Sequence, residues 1–431
     1  MLGKKQFRNL LLQITARAAT AALAIAVVFA LTVALSQSGQ AQTWREQVLH
    51  SFGNGSDGAI PSGMVLDSTG NLYGTTSQGG TNGLGTVFEL IPNGHGGRIE
   101  QVLFSFHGPD GVEPIGSLIF DAAGNLYGAT QSGYDSSLGT VYELTPAAGG
   151  GWTEQVLHNF NGDGYDPLAG LVMDAAGNLY GTTEGGDQNH PYGTVFELMP
   201  AAGGGWTAQV IHDFNRDDGE YPWFGSLVLD SAGNLYGTTL EGGAYGVGVV
   251  FELMPTGNGN WTEIVLHSFN SDGMDGALPY SGVIFDVAGN LYGITEVGGS
   301  NGVGTVYKLT PTGDGSWTET TLHSLGTGTD GALPSAGLTF DASGNLYGTT
   351  AGGGDLGHGT VYELLPDGSG GWTEQILYSF RSSPDGNYPN TPLVFDSAGN
   401  IYGATGGGGA YGNGTAFELT HASPCARCQS H

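Results

Sequence analysis

One eight-residue phrase recurs seven times along the chain, and its spacing restricts the possible folds. The phrase is Asp-x-x-Gly-Asn followed by Leu or Ile, Tyr and Gly. Successive copies stand 53 to 56 residues apart, and their leading aspartates are Asp67, Asp121, Asp174, Asp230, Asp286, Asp341 and Asp396. A fixed period of this length indicates a repeat architecture, in which each copy is one supersecondary unit packed against its neighbours.

Each unit contains four short runs with strand character. In the third unit the runs cover 170–174, 178–183, 193–198 and 206–214, and they are rich in β-branched and aromatic residues. The 80 glycines of the 431-residue chain fall at fixed offsets among such runs, as turns between strands require. Because no segment has a helical period, the sequence predicts an all-β fold, a seven-bladed β-propeller of four-stranded blades.

The two ends of the repeat array are complementary. A fourth-strand sequence at 44–52 precedes any first strand, and the last unit ends after its third strand at 414–419. We therefore expect the N-terminal strand to complete the last blade, so that no interior sheet edge is left unpaired. The predicted organisation is a leader over 1–41, the propeller over 42–420 and a C-terminal tail over 421–431.

The first 41 residues have the composition of an export signal. Lys4, Lys5 and Arg8 precede an apolar run over 18–35, and residues 39–41 suit a small-residue cleavage site. The run is also just long enough to act as an uncleaved signal anchor. Both forms predict a secreted, periplasmic or cell-surface protein that has no membrane contact beyond this leader.

Charge restricts the partners of the exported part. The chain has a formal net charge of −30, and four of its ten basic residues but none of its 40 acidic residues lie in the leader. The part after residue 41 therefore carries −34, which disfavours nucleic acid and anionic lipid and favours neutral or cationic ligands.

The cysteines cannot form a disulfide framework within the body of the chain. Cys425 and Cys428 are the only two, and both lie in the tail, so the propeller must be stabilised by packing and sheet pairing. In an oxidising compartment they would form a small disulfide loop. The alternatives are zinc binding together with His421 and His431, and a tail without function.

Four recurring residues are interpreted as structural. The aspartate of each Asp-x-x-Gly-Asn phrase suits the start of a tight hairpin, and the tyrosine suits packing between blades. The glutamate of the third strand is replaced by Lys308 in the fifth unit, which favours an exposed position. An aromatic ring in the outer strand is interpreted as a packing residue, because equivalent positions on separate blades are too far apart to share a metal ion. These rings are His50, Phe104, His158, His212, His267, His323 and Tyr378.

The connection from each outer strand to the next blade carries Asp-Gly-x-x-Pro. Its aspartates are Asp57, Asp110, Asp163, Asp218, Asp275, Asp330 and Asp385. In a propeller these connections share one face with the loops between second and third strands. Seven carboxylates there would form a ligand-binding face that attracts cations and accepts hydrogen bonds from sugar hydroxyls. The alternative is that Asp-Gly only begins a turn, and that proline stiffens entry to the inner strand.

Two of these connections are rich enough in oxygen ligands to suit calcium. The candidate ligands are Asp163 and Asp166 in one connection and Asp272 and Asp275 in another. Neither connection has the spacing of an EF-hand loop. No other cofactor is expected.

The loops between second and third strands vary most from unit to unit, so we expect them to carry specificity. The loop of the third unit offers Glu184, Asp187 and His190. A carboxylate pair beside an imidazole suits general acid and base work in a carbohydrate-active or lactone-active enzyme. Solvated loop tips are the alternative, and the uniformity of the units favours a non-catalytic protein.

The core phrase of the repeats, in the third unit residues 170–183 with 193–198, resembles the GloVer tandem repeat of exported bacterial choice-of-anchor proteins. The resemblance recurs seven times and implies an exported β-propeller-like array, with no catalytic residues to carry over. We expect a monomeric, extracytoplasmic module that binds a glycan or an extracellular protein. The alternatives are a carbohydrate-active or lactone-active propeller enzyme and a structural protein of the cell envelope.

Overall fold

A computed structural model describes residues 44–53, 55–133, 138–186, 191–326 and 329–421. Within these ranges every regular element is a β-strand, and no helix there is long and apolar enough to cross a membrane. Residues Arg45–Thr420 form one compact unit. The predicted leader over 1–41 and the pair Cys425 and Cys428 lie outside the described residues.

Seven antiparallel sheets of four or five strands form the seven predicted blades. Blade 1 contains β2 (Ala59–Leu66), β3 (Leu72–Gln78), β4 (Thr86–Pro92) and β5 (Arg98–Ser105). Blade 2 contains β6 (Val112–Pro114), β7 (Ile119–Phe120), β8 (Leu126–Ser132), β9 (Thr140–Pro146) and β10 (Trp152–Asn159). Blade 3 contains β11 (Val172–Met173), β12 (Leu179–Thr183), β13 (Thr194–Pro200) and β14 (Trp206–Asp213).

The remaining blades follow the same order. Blade 4 contains β15 (Val228–Leu229), β16 (Leu235–Thr239), β17 (Val249–Gly257) and β18 (Asn260–Ser268). Blade 5 contains β20 (Ile284–Phe285), β21 (Leu291–Thr295), β23 (Thr305–Pro311) and β24 (Trp317–Ser324), with a separate pair formed by β19 (Gly276–Ala277) and β22 (Val297–Gly298). Blade 6 contains β25 (Gly331–Pro334), β26 (Thr339–Phe340), β27 (Leu346–Gly353), β28 (Thr360–Pro366) and β29 (Trp372–Ser379). Blade 7 contains β30 (Asn387–Pro389), β31 (Val394–Phe395), β32 (Ile401–Gly407), β33 (Thr415–His421) and β1 (Trp44–Ser51).

The hydrophobic core lies between adjacent blades. The middle strands are covered on both faces, and all five residues of β12 are buried. One core cluster joins Phe160 of blade 2 to Leu179 and Phe196 of blade 3. The strand glycine Gly181 makes room for this contact, since a Cβ there would stand 2.5 Å from the ring of Phe196. The glycine of the repeated phrase is therefore required by packing.

The N-terminal strand closes the ring as predicted. Strand β1 pairs with β33, and the backbone N–H of Phe52 donates to the carbonyl oxygen of Gly414 at 3.0 Å. Phe52 is fully buried in a cluster that contains Phe88 of blade 1 and Tyr402 of blade 7. Both ends of the array thus share one hydrophobic core.

The Asp-x-x-Gly-Asn phrase forms the predicted hairpin. In blade 3, Asp174 Oδ1 accepts from the backbone N–H groups of Ala176 at 2.8 Å and Asn178 at 2.9 Å. Asp174 Oδ2 accepts from the Asn178 side chain at 2.9 Å. The ring of Tyr180 meets Trp261 of blade 4 edge-on at 5.9 Å between centroids, which confirms its role in packing between blades.

The prediction that the third-strand glutamate is exposed is wrong at Glu197 and Glu363. Both side chains are buried, and they accept hydrogen bonds from the hydroxyls of Tyr180 and Tyr347 at 2.9 and 2.6 Å. The specific partner that burial of a carboxylate requires is therefore present. In blade 5 Lys308 replaces the glutamate, and its Nζ lies 5.5 Å from the ring centroid of the equivalent tyrosine, Tyr292. This cation–π contact explains why a change of charge is tolerated.

Candidate functional site

The Asp-Gly-x-x-Pro connections and the loops between second and third strands lie side by side at one end of the propeller, here called the upper face. In blade 3, Tyr165 and Gly185 exchange both backbone hydrogen bonds, at 2.8 and 3.2 Å. In blade 4, Glu220 and Glu241 do the same at 2.8 and 2.9 Å. This arrangement confirms that the two sets of loops share one face.

The residue before the proline of every connection has a left-handed backbone. Its φ lies between 54° and 59° in all seven copies, which are Ile60, Glu113, Asp166, Tyr221, Leu278, Leu333 and Tyr388. Such a conformation costs a non-glycine residue about 1–2 kcal/mol and persists only where its surroundings impose it. The framework therefore fixes the backbone of the upper face, while the side chains it presents differ from blade to blade.

The seven predicted aspartates lie at the seams, the contacts between adjacent blades, and six of them face the outer-strand ring of the preceding blade. The separations of His Nε2 from Asp Oδ2 are 3.4 Å for His50–Asp57, 2.8 Å for His158–Asp163, 3.6 Å for His212–Asp218, 3.2 Å for His267–Asp275 and 3.1 Å for His323–Asp330. Tyr378 donates to Asp385, and at the seam where Phe104 replaces histidine, His107 contacts Asp110 instead.

These aspartates also shape their own turns. Asp163 accepts from the backbone N–H of Asn161 at 2.8 Å, and Asp330 from that of Gly326 at 2.9 Å. The histidine rings pack as interpreted, with His158 edge-on to Phe160 at 4.8 Å, but the interpretation missed their carboxylate partner. That the seven carboxylates form a ligand-binding face stays a prediction.

At most seams a glutamate from the next blade lies beside the aspartate. This glutamate was not identified from the sequence. It is the residue after Trp-Thr or its equivalent in the outer strand, and its copies are Glu46, Glu100, Glu154, Glu263, Glu319 and Glu374, with Ala208 in blade 3. Burial raises the pKa of Glu100 to about 7, and the charge of Asp57 adds to this effect. The pKa of Glu263 also rises to about 7, through burial and then the charge of Asp218.

At the seam between blades 5 and 6 the histidine, the aspartate and the glutamate converge. His323 Nε2 lies 3.1 Å from Asp330 Oδ2 and 3.9 Å from Glu374 Oε2. Burial, followed by the hydrogen bond and charge of Asp330, raises the pKa of the Glu374 carboxyl well above its usual range. Within the described residues, this is the one group of histidine and carboxylate side chains whose ligand atoms converge, all within 4.8 Å of one another.

The four predicted calcium ligands have other neighbours. Asp163 and Asp275 face histidines, and the exposed Asp272 accepts from the backbone N–H of Met274 at 2.9 Å. Asp166 lies near Glu113, whose charge adds to burial in raising the pKa of the Asp166 carboxyl. Calcium binding by these residues stays a prediction.

A central cavity of about 130 Å³ is lined by residues from the innermost segments of all seven blades, most of them just before the first paired strand. The described residues that line it include serines and glycines, and none of them is charged. Close approach of the inner strands explains the glycines, because a Cβ on Gly63 would lie 2.4 Å from the Cα of Ser117. The axis of the propeller therefore offers hydroxyl and backbone groups rather than carboxylates.

Three aromatic side chains converge on one side of this cavity, and we call them the aromatic mouth. Trp223 stacks on Phe224 with 5.2 Å between centroids, and Tyr280 lies 5.7 Å from Trp223 and 5.1 Å from Phe224. Phe224 and Tyr280 line the cavity. The signal in the sequence was Trp-Phe after a proline, where blade 6 has Ser335 and Ala336.

Glu184, a predicted catalytic residue, stands beside Asp166 on the upper face. Its backbone N–H donates to the Asp166 carbonyl oxygen at 3.0 Å. Burial raises the pKa of the Glu184 carboxyl, and the charge of Asp166 adds to this shift. The other two predicted residues, Asp187 and His190, lie outside the described residues. The pair that the structure brings together is therefore Asp166 and Glu184.

The repeats can now be compared with known families. A model of the Gloeobacter/Verrucomicrobia repeat matches residues 25–225, 149–339 and 224–427. The chain belongs to this repeat family. The match confirms the resemblance of the core phrase to the GloVer repeat. A search of curated proteins found no match.

Two solved structures resemble this GloVer-repeat propeller at low sequence identity. The first is the extracellular domain of a proposed one-component system from B. thetaiotaomicron, with 12% identity and a TM-score of 0.53, and it covers 88% of this chain. The second is a puromycin-hydrolysing peptidase from Mycobacterium tuberculosis, with 12% identity, a TM-score of 0.46 and 85% coverage of this chain. This chain spans only 40% and 52% of their respective lengths, and the first likeness shows the fold alone.

Proposed function

We propose that this propeller is an exported, monomeric and non-catalytic module that binds a neutral glycan at the aromatic mouth. The convergence of Trp223, Phe224 and Tyr280 at the end of a cavity lined by serine and glycine carries this proposal. Apolar walls with a few placed polar groups are typical of small-ligand sites. The flat rings suit stacking against the C–H face of a sugar.

The surroundings of the aromatic mouth suit the rest of such a ligand. Ser226 and Ser281 line the same cavity, and each hydroxyl both donates and accepts hydrogen bonds. The −34 charge of the chain after residue 41 disfavours anionic glycans. The basic and apolar leader supports export, as does the likeness of the fold to an extracellular domain.

The direct test is calorimetric titration of the chain from residue 42 onward with a panel of neutral soluble polysaccharides. Replacing Trp223 and Phe224 by Ser and Ala reproduces the Ser335–Ala336 pair of blade 6, so the framework tolerates both side chains. We expect this W223S/F224A variant to lose at least about tenfold in affinity, because aromatic anchors dominate binding energy. Tyr411→Ala, at an exposed upper-face ring of blade 7, is the control and should bind as the wild type does.

Two outcomes would count against this function. Unchanged affinity of the W223S/F224A variant would remove the aromatic mouth as the site. Absence of binding to any neutral glycan, together with sedimentation of the protein with cell-envelope fractions, would favour a structural protein of the envelope.

The alternative of a carbohydrate-active or lactone-active enzyme is favoured by one observation. Asp166 and Glu184 are adjacent carboxyl groups whose pKa values are both raised, which suits one group to donate a proton while the other accepts one. Assays for release of reducing ends or for lactone opening separate the two functions. An enzyme would lose turnover in the Glu184→Gln variant, whereas a binding module would show no turnover and would keep its affinity.

A further inference from the structure

At the seam between blades 5 and 6 an imidazole and two carboxyl groups meet. Neither the turn nor the packing of the blades requires these three groups to be together. His323 comes from the outer strand β24, Asp330 from the connection into blade 6, and Glu374 from the outer strand β29. The side chains are only 22%, 4% and 13% exposed. Two carboxyl groups and an imidazole are therefore held against one another with little access to water.

One atom of this group has no hydrogen-bond partner. Glu374 Oε1 is buried and unsatisfied, and among the described residues no basic side chain other than His323 contacts the two carboxyl groups. Leaving a buried acceptor unpaired is unfavourable, and the cost is greater for a charged group. A cation bound by this group would neutralise the carboxylate to which the oxygen belongs and offset the repulsion between the two carboxylates.

We propose that this seam binds one divalent transition-metal ion of the Zn²⁺ type, with His323, Asp330 and Glu374 as its protein ligands. Imidazole nitrogen with carboxylate oxygen suits Zn²⁺ and related ions, whereas Ca²⁺ prefers oxygen ligands alone. Ligand atoms about 2.1 Å from a tetrahedral ion stand about 3.4 Å from one another. The 3.1 and 3.9 Å separations from His323 Nε2 bracket this value.

The other seams show that the chain tolerates loss of the glutamate or of the histidine. The seam between blades 2 and 3 keeps His158 and Asp163 but has Ala208 in the place of glutamate. Phe104 replaces the histidine between blades 1 and 2. Glu374→Ala and His323→Phe therefore each introduce a residue that the same framework already accommodates elsewhere.

The competing explanation is that Asp330 and Glu374 share a proton and bind no metal. The experiment uses the untagged chain from residue 42 onward with Cys425 and Cys428 changed to Ser, so that tail thiols cannot bind zinc. After treatment with EDTA and dialysis, the protein is titrated with Zn²⁺ by calorimetry, and its bound zinc is measured by elemental analysis.

We expect one Zn²⁺ per chain, and a loss of affinity of at least about 100-fold in both Glu374→Ala and His323→Phe, since loss of even a supporting group costs up to this much. Glu319→Ala, at the neighbouring seam whose ligand atoms do not converge as tightly, is the control and should retain one ion. Absence of zinc from the parent protein, or equal affinity in Glu374→Ala, would overturn the proposal. Loss of the ion in Glu319→Ala would overturn the assignment to this seam.

Discussion

The two ends of the propeller use the same residue type in different ways. At the lower end, the aspartate of each Asp-x-x-Gly-Asn turn accepts the same hydrogen bonds, as Asp67, Asp174 and Asp396 illustrate. At the upper face, the aspartate of each Asp-Gly-x-x-Pro connection faces a ring that is histidine at most seams and tyrosine at one. The lower end repeats a complete network, whereas the upper face repeats a backbone and changes its side chains.

This difference separates framework from candidate function. A turn whose donors and acceptors are all paired leaves no group for a ligand. Left-handed backbone positions and unpaired buried glutamate oxygens, in contrast, are concentrated near the upper face. Substitutions at the lower end should therefore change stability, and those at the upper face should mainly change binding.

The largest effect should come from the hydrophobic core that the first and last strands of the array share. It tests whether the seam closed by β1 contributes as much stability as a seam between two internal blades. Phe52 and Phe214 follow the outer strands of blades 7 and 3, and both are almost completely buried. Truncation of a buried phenylalanine costs about 3–5 kcal/mol. We expect Phe52→Ala and Phe214→Ala to lower the free energy of unfolding by the same amount, measured by denaturant titration. A much smaller loss in Phe52→Ala would mean that closure is loose.

The second prediction sharpens the contrast between the two ends. Asp174→Ala removes a carboxylate that accepts four hydrogen bonds, two from the backbone, one from the Asn178 side chain and one from the Tyr180 hydroxyl. We expect a loss of about 2–3 kcal/mol, as for other hydrogen bonds to charged groups. Glu184→Ala at the upper face should stay within about 0.5 kcal/mol of the wild type. Equal losses in thermal unfolding would contradict the division of roles.

The repeated framework was predictable because its signals are local and occur seven times. The period, the turn residues and the mismatch between the two chain ends predict the blades and their closure. The glutamates of the seams were not recognised, because Glu100 in an alternating strand looks like a solvent-facing residue. Its environment includes the charge of Asp57, which comes from a connection more than 40 residues earlier in the chain.

The aromatic mouth was visible as a departure from the repeat but was not given weight. Phe224 stands two residues after the proline, where the other blades carry small residues such as Ala169 and Ser281, and a comparison of units at this position would have found it. The left-handed backbone at Ile60 and Leu333 could not be predicted, because both residue types disfavour it. It is imposed by tertiary contacts, which no local pattern records.

The third prediction concerns pH and tests the seams as a set. Burial, with the charge of a neighbouring aspartate, raises the pKa of Glu46, Glu100, Glu154 and Glu263 from 4.5 to about 7. Native protein then binds more protons than unfolded protein above pH 4.5, so stability falls as pH rises through about 7. Burial lowers the pKa of His50 and His212, which opposes this trend only below pH 6.5.

The free energy of unfolding should therefore be compared at pH 8 and at pH 6.5, in the presence of EDTA. We expect the free energy of unfolding to be greater at pH 6.5 by about 1 kcal/mol, after a discount for the partial exposure of these groups. A Glu46→Gln/Glu100→Gln variant should show a smaller difference between the two pH values. A wild-type protein that is more stable at pH 8 would show that the glutamates are ionised in the native state.

The smallest effect should come from the strained upper face. Leu333 has φ 57° and is 39% exposed, so its side chain contributes little packing. Replacement by glycine removes the cost of the left-handed backbone, about 1–2 kcal/mol. It also increases the entropy of the unfolded chain, which lowers stability by about 0.5–1 kcal/mol. We expect Leu333→Gly to raise stability by up to about 1 kcal/mol, and Ala332→Gly, where no strain is relieved, to lower it by about 0.5–1 kcal/mol. If thermal unfolding showed that both variants are destabilised alike, the strain at the upper face would be energetically insignificant. Its constancy in seven connections would then follow from chain geometry alone.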